Sequence, residues 1–105
     1  MEQLNYKIDV FEGPMDLLLH LISKHKLNIN DIPIVELVNQ YLDYVRQMQE
    51  QDFDIAGEFL EMAARLIYIK TVSLLPRHEE AEILKKELTG ELIEYQDYKI
   101  MAGKL

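Results

Sequence analysis

The sequence predicts an all-α fold, and three observations support this class. Apolar residues recur every three or four positions through four successive segments, which is the period of an amphipathic helix. Pro14, Pro33 and Pro76 fall at segment boundaries, where proline starts or ends a helix. Only one short stretch, residues 6–10, alternates with the period of a strand, which is too little to form a sheet within the chain. We therefore expect a compact bundle of three helices, with an extended N-terminal arm and a C-terminal fourth helix that can project.

The N-terminal arm is predicted from residues 6–10. Tyr6, Ile8 and Val10 would lie on one side, and Lys7 and Asp9 on the other. A single strand has no ladder partner within the chain. The segment therefore packs on the helices as an arm, or pairs with another chain by strand addition.

The first two helices are predicted to supply most of the core. Helix one runs from about Pro14 to His25 and is apolar nearly all round, so we expect it at the buried centre. Helix two begins after Asp31-Ile32-Pro33 and is amphipathic with one apolar face. That face consists of Ile34, Leu37, Val38, Tyr41, Leu42, Val45 and Met48.

The third helix, predicted from Asp54 to Leu75 where Pro76 ends it, carries more apolar residues than one face can hold. One stripe consists of Ile55, Phe59, Met62, Leu66 and Ile69. The neighbouring stripe consists of Ala56, Leu60, Ala63, Ile67 and Leu74. A chain this short cannot cover both, so we expect one stripe in the core and the other on a partner. Periodicity leaves open which stripe faces outward.

The fourth helix is predicted to begin at Glu79, with apolar residues at spacings of mostly three or four up to Leu105. Gly90 weakens it by about 1 kcal/mol relative to alanine. The helical pattern reaches the last residue without a stop signal beyond Gly103. We therefore expect the chain to be part of a longer protein.

Composition excludes several function classes. The 105 residues include 19 acidic and 11 basic side chains, a net charge of −8, whereas a DNA-binding domain normally carries a basic surface. No run of eighteen apolar residues and no secretion signal is present. The chain has no cysteine, and therefore neither disulfides nor thiolate chemistry. We expect a cytoplasmic protein that binds neither nucleic acid directly nor membrane.

The sequence shows no catalytic, cofactor or metal constellation. His20 and His25 are five residues apart, which is the wrong step for one helix face. Glu58, Glu61 and Arg65 follow the spacing of a solvated helix face, which favours a surface role over acid–base catalysis. We expect a protein that is not an enzyme and uses no cofactor.

An ordered series of motifs resembles a known family. The series begins with Phe11-Glu12-Gly13-Pro14-Met15-Asp16-Leu17-Leu18-Leu19-His20-Leu21-Ile22 and continues through Asp31-Ile32-Pro33-Ile34, Gln40-Tyr41-Leu42-Asp43-Tyr44, Asp54-Ile55-Ala56, Glu58-Phe59-Leu60-Glu61-Met62-Ala63-Ala64, Ile69-Lys70-Thr71, Leu74-Leu75-Pro76 and Leu92-Ile93-Glu94-Tyr95-Gln96-Asp97-Tyr98-Lys99. In this order and spacing the blocks resemble segregation and condensation protein A, the kleisin subunit of the bacterial Smc complex. Two departures are a short acidic stretch after Pro76 and the absence of a C-terminal winged-helix domain.

The resemblance implies a non-enzymatic subunit with two partners. Residues 1–76 would form the kleisin N-terminal domain, which binds the neck coiled coil of Smc beside its ATPase head. The implied neck-binding residues are Ala56, Leu60, Ala63, Ile67 and Lys70. Residues 77–105 would hold a linker and the start of the middle region, which binds a dimer of the accessory protein ScpB. The implied ScpB-binding residues are Leu92, Tyr95, Tyr98 and Lys99.

The implied role is to help build the Smc–ScpA–ScpB ring for chromosome condensation and segregation, in the cytoplasm and at the nucleoid through Smc. This chain alone should be unable to close such a ring. The alternative is a self-associating helical adaptor without an Smc partner, in which a second copy covers the surplus stripe. An enzyme is the third and least favoured interpretation, because the sequence shows no set of catalytic residues that would converge in a pocket.

Overall fold

The computed structural model describes residues 11–50 and 54–103, and these fold into four helices without a strand among them. The helices are α1 (Pro14–Lys24), α2 (Ile34–Glu50), α3 (Gly57–Ser73) and α4 (His78–Met101). The predicted all-α class is confirmed. The predicted arm at residues 6–10 lies outside the described residues.

Both ends of α1 have a clear local cause. Pro14 occupies the start, and the amide of Leu17 donates to the carbonyl of Gly13 at 3.2 Å. At the other end Lys26 adopts φ 57°, while the amide of Leu27 bonds the carbonyl of Ile22 at 2.8 Å. This is a Schellman arrangement, which satisfies the last carbonyls and turns the chain toward α2.

The third helix is shorter than its apolar pattern predicted. Ala56 takes the N-cap position with extended backbone angles (φ −59°, ψ 145°), so the helix begins at Gly57 rather than Asp54. It ends at Ser73 rather than Leu75. The residue before a proline is disfavoured in helical conformation, and Leu75 precedes Pro76.

The core lies where α1 meets the other three helices. α1 contributes Leu17, Leu18, Leu21 and Ile22, as expected for the buried centre; α2 contributes Leu37, Val38, Tyr41, Val45 and Met48; and α3 contributes Phe59, Met62, Leu66, Ile69 and Val72. The most extensive packing is between α2 and α3. One side of α2 is therefore buried and the other polar, as its pattern predicted.

The fourth helix packs on the bundle instead of projecting from it. Leu88 and Leu92 have no exposed surface, and α4 contacts both α1 and α3. Gly90 sits between these two leucines without interrupting the helix. Among the described helices, none has the length and apolar character needed to cross a membrane.

Candidate protein-docking face

The two apolar stripes of the third helix differ in solvent exposure. Phe59 and Leu66 of the first stripe are 2 % and 0 % exposed, so this stripe builds the core. Leu60 and Ile67 of the second stripe are 42 % and 50 % exposed. Leu74, just beyond the helix end, is 65 % exposed. The chain therefore leaves the second stripe uncovered, and the choice that periodicity left open is resolved.

The uncovered side of α3 is wider than the predicted stripe and carries no charge. We call it the α3 face; at 100° per residue it comprises the helical residues Gly57, Leu60, Ala63, Ala64, Ile67, Tyr68 and Thr71, together with the flanking residues Ala56, Leu74 and Leu75. All of these except the partly buried Ala63 are exposed. In a chain with 29 % charged residues, an uncharged helix face is typical of a surface that binds another protein.

The spacing along the α3 face is that of a coiled-coil seam. Leu60, Ile67 and Leu74 are seven residues apart. Ala56 and Ala63 precede Leu60 and Ile67 by four residues, which gives the two core positions of a heptad. Small side chains beside large ones also let a second helix approach closely. Ala64 and Gly57 were not among the neck-binding residues that the resemblance implies, although a helical wheel places both beside Leu60.

Lys70 marks the edge of the α3 face toward α2. Its ammonium donates to the side-chain oxygen of Asn39 at 2.8 Å. Asn39 also lines a shallow cleft of ≈ 600 Å³ on the outer side of α2, together with Val35 and Glu36. The predicted residues of α3 thus lie on one continuous surface, with Lys70 at its border.

The edge toward α4 is polar and contains a bidentate ion pair. The guanidinium of Arg65 donates to both carboxylate oxygens of Glu91, at 2.8 and 3.0 Å. These hydrogen bonds are the largest cause of the raised pKa of Arg65, and the nearby charge of Glu87 adds to it. Further along, the hydroxyl of Tyr68 donates to Glu80 at 2.6 Å.

The residues predicted to bind a second partner are largely engaged within the domain. Leu92 is 0 % exposed, in the core. The hydroxyl of Tyr95 donates to Glu12 at 2.8 Å, and the ammonium of Lys99 bonds Asp16 at 2.5 Å. Tyr98 is the exposed member of this set.

Asp16 lies in the first turn of α1 and has a structural role that reaches beyond this helix. Its carboxylate is buried, and it accepts the backbone amide of Glu12 at 3.0 Å as well as the ammonium of Lys99. Asp16 therefore fixes the start of α1 to the end of α4. Sequence spacing carries no signal for this contact, because the two side chains are 83 residues apart.

The cleft between α1 and α4 offers no reactive arrangement. It measures ≈ 490 Å³, and the ring of His20 on its wall packs against Phe11 with centroids 5.2 Å apart. Burial, and then the charge of Lys24, lowers the pKa of His20 below 6.5. The carboxylate in this cleft, Asp16, is already paired. In the described ranges 11–50 and 54–103, no group of histidine and acidic side chains is placed to hold a metal ion.

A four-helix unit with one uncharged, uncovered helix face is typical of small helical domains that dock on other proteins. Comparison with known proteins specifies the family. Residues 21–105 match the model of the family described as segregation and condensation protein ScpA. The chain belongs to this family.

Similar proteins come from several bacilli. Proteins named segregation and condensation protein A from Bacillus cereus (strain AH187), Bacillus anthracis (strain A0248) and Bacillus thuringiensis subsp. konkukian (strain 97-27) are each 46 % identical over 113 residues. Each match covers 98 % of this chain but 45 % of the relative's own length. The chain therefore spans a little under half the length of these relatives.

Proposed function

We propose that this chain is a non-enzymatic part of the chromosome segregation and condensation machinery, and that it docks through the α3 face on the neck coiled coil of an Smc protein. The observation that carries the proposal is the exposed, uncharged α3 face with its seven-residue repeat of Leu60, Ile67 and Leu74. Membership of the ScpA family supports the choice of Smc as partner.

A two-stranded coiled coil suits this face. Its two helices form an apolar groove, and a third helix with heptad spacing can lie in that groove as in a helix bundle. Burying three large side chains contributes roughly 5–9 kcal/mol. Association costs roughly 4–15 kcal/mol. The expected affinity is modest, and contacts made elsewhere in the full-length protein would reinforce it.

We further propose that residues 77–105 begin the region that contacts ScpB, as the family resemblance implies. The exposed Tyr98 is then the first contact of that surface, because Leu92 is buried and Lys99 is paired with Asp16. The division after residue 76 is one of function, since α4 packs against the bundle formed by the preceding residues. Through Smc the protein would act in the cytoplasm at the nucleoid.

The direct test is binding of the chain to a purified Smc head-plus-neck fragment from the same organism. Leu60→Glu and Ile67→Glu should each abolish binding while the far-ultraviolet circular dichroism and melting curve stay unchanged. The reason is that a carboxylate at either position is solvated in the free domain but stranded without a partner in an apolar interface.

Phe59→Glu and Leu66→Glu are the matched controls, one residue away on the same helix. Both positions are in the core, so these variants should lose the cooperative melting transition itself. Undiminished binding by Leu60→Glu and Ile67→Glu would contradict the assignment of the α3 face.

A further inference from the structure

The two borders of the α3 face differ in charge. On the α2 side, Lys70 contributes a cation bonded to a neutral amide, and Asp43 forms an ion pair with Arg46. Glu36 lies one turn from Asn39 on the same side of α2. Acids and bases on this border therefore nearly balance.

The α4 side of the face is acidic. Glu61 lies one turn before Arg65 on α3, and Glu87 and Glu91 come from α4. Glu91 neutralises the charge of Arg65 through two hydrogen bonds, and the charge of Glu87 also raises the pKa of this guanidinium. Farther along the same border Glu80, which accepts a hydrogen bond from Tyr68, is paired with Arg77. Two bases are thus set against four acids. We call Glu61, Glu87 and Glu91 the acidic edge.

We infer that the α3 face takes a helical partner surface whose apolar seam carries lysine or arginine side chains along the border that meets the acidic edge. The inference rests on the proposed function and adds the charge of the partner, and the direction in which it lies, to the apolar contact. Complementary charge at the rim of an interface chiefly speeds association and fixes orientation. The uncharged centre supplies the area that is buried.

A second copy of this chain is a poor occupant for the same reason. In an antiparallel pair of α3 helices related by a twofold axis, each edge meets its own copy. Glu61 and Glu87 would then face the same two residues of the other molecule. Like charges in such positions oppose association, and the net charge of −8 on each copy adds to the repulsion.

The test measures the association rate with the Smc head-plus-neck fragment as a function of salt for the wild type, Glu61→Lys, Glu87→Lys and the double variant. We expect each single change to slow association about threefold and the pair about tenfold at low salt. At about 1 M salt, where the screening length is about 3 Å, the differences should vanish.

Glu82→Lys is the matched control, because it makes the same change in net charge. Glu82 is exposed in a separate cleft of α4 that is shared with Asn30, Asp31 and Lys85. This variant should associate at the wild-type rate. Circular dichroism melting of all variants checks that each is folded.

Three outcomes overturn the inference, and they separate it from the docking proposal. If Leu60→Glu abolishes binding but the edge variants associate normally, the α3 face docks without the predicted charge match. If Glu82→Lys slows association as much as the edge variants, net charge rather than the acidic edge is responsible. If the wild-type chain does not bind at all, the docking proposal and the inference fall together.

Discussion

Single residues decide how the two ends of the described chain meet. The buried carboxylate of Asp16 bonds the ammonium of Lys99, whose side chain is 14 % exposed, and Tyr95 donates to Glu12 one turn earlier on α4. Breaking a hydrogen-bonded ion pair in such a place costs more than breaking an exposed pair, because removing one partner leaves the other poorly solvated. α4 is therefore held at its far end by polar contacts and at its middle by Leu88 and Leu92.

Replacing the carboxylate of Asp16 tests the contribution of its ion pair with Lys99 to stability. Asp16→Asn should lower the free energy of unfolding by about 2–3 kcal/mol, since Lys99 loses its counter-ion with little change in shape. Urea unfolding followed by circular dichroism measures the effect. Asp31→Asn removes the exposed pair with Lys85 at 3.3 Å and should cost less than about 0.5 kcal/mol. Equal effects of the two changes would contradict a special role for Asp16.

Tyr41 gives a prediction about alkaline pH. Its hydroxyl donates to the carbonyl of Phe59 at 2.8 Å. Burial, and then the charge of Glu58, raises its pKa well above the ordinary 10.0. Above pH 10 the unfolded chain therefore loses a proton that the folded chain keeps, so stability falls as pH rises, at up to about 1.4 kcal/mol per pH unit for this group.

Tyr41→Phe should cost about 1 kcal/mol at pH 7 through the lost hydrogen bond. It also removes the alkaline penalty of this group, so the variant and the wild type should be about equally stable near pH 11. Urea unfolding midpoints between pH 7 and 11 measure the difference in stability between Tyr41→Phe and the wild type. A difference that stays constant over this range would contradict the raised pKa of Tyr41.

At the scale of elements, α3 shows what periodicity can and cannot predict. Both stripes were visible in the sequence, because apolar spacing reports faces directly. Which stripe faced outward depended on where α2 and α4 lie, and that is decided by packing between segments distant in sequence. The length of α3 was overestimated at both ends, because the apolar pattern continues into Ile55 and Leu75, where the backbone is no longer helical.

The interior of α4 offers a stabilising change. Gly90 is exposed, and a Cβ placed there meets nothing within 4 Å. Gly90→Ala should therefore raise the free energy of unfolding by about 0.5–1 kcal/mol, because alanine restricts the unfolded chain and fits the helix. The thermal midpoint measures this.

Gly103→Ala is the matched control for that change. Gly103 follows the end of α4 with φ +71°, a conformation that strains alanine. The substitution should therefore give no gain. A gain at Gly103 equal to that at Gly90 would contradict the backbone argument.

For the whole molecule, the four helices of the described chain were largely predictable, because strong apolar periodicity and the positions of the prolines set each segment. The packing of α4 was not predictable in the same way. Its apolar residues at Leu84, Leu88 and Leu92 fit either a projecting helix or a docked one. The polar contacts of Tyr95 with Glu12 and of Lys99 with Asp16 each join residues 83 positions apart. The candidate site was predicted in its position on α3 but not in its width or its charged borders.

The oligomeric state discriminates the Smc-docking domain from the self-associating adaptor. The α3 face is the same in both, but its acidic edge and the net charge of −8 oppose pairing of identical chains. Light scattering over a concentration series should give a constant monomer mass at physiological salt. A mass that rises to that of a dimer, and returns to monomer in Leu60→Glu, would favour the adaptor instead.

The contact between Asp16 and Lys99 also determines how the domain would respond to mechanical load. Because it joins the two ends of the described chain, a force pulling those ends apart acts on this ion pair before it reaches the leucines at the middle of α4. Detachment would then proceed like a zipper from Lys99 toward Leu88, one turn at a time, rather than by shearing the whole helix at once.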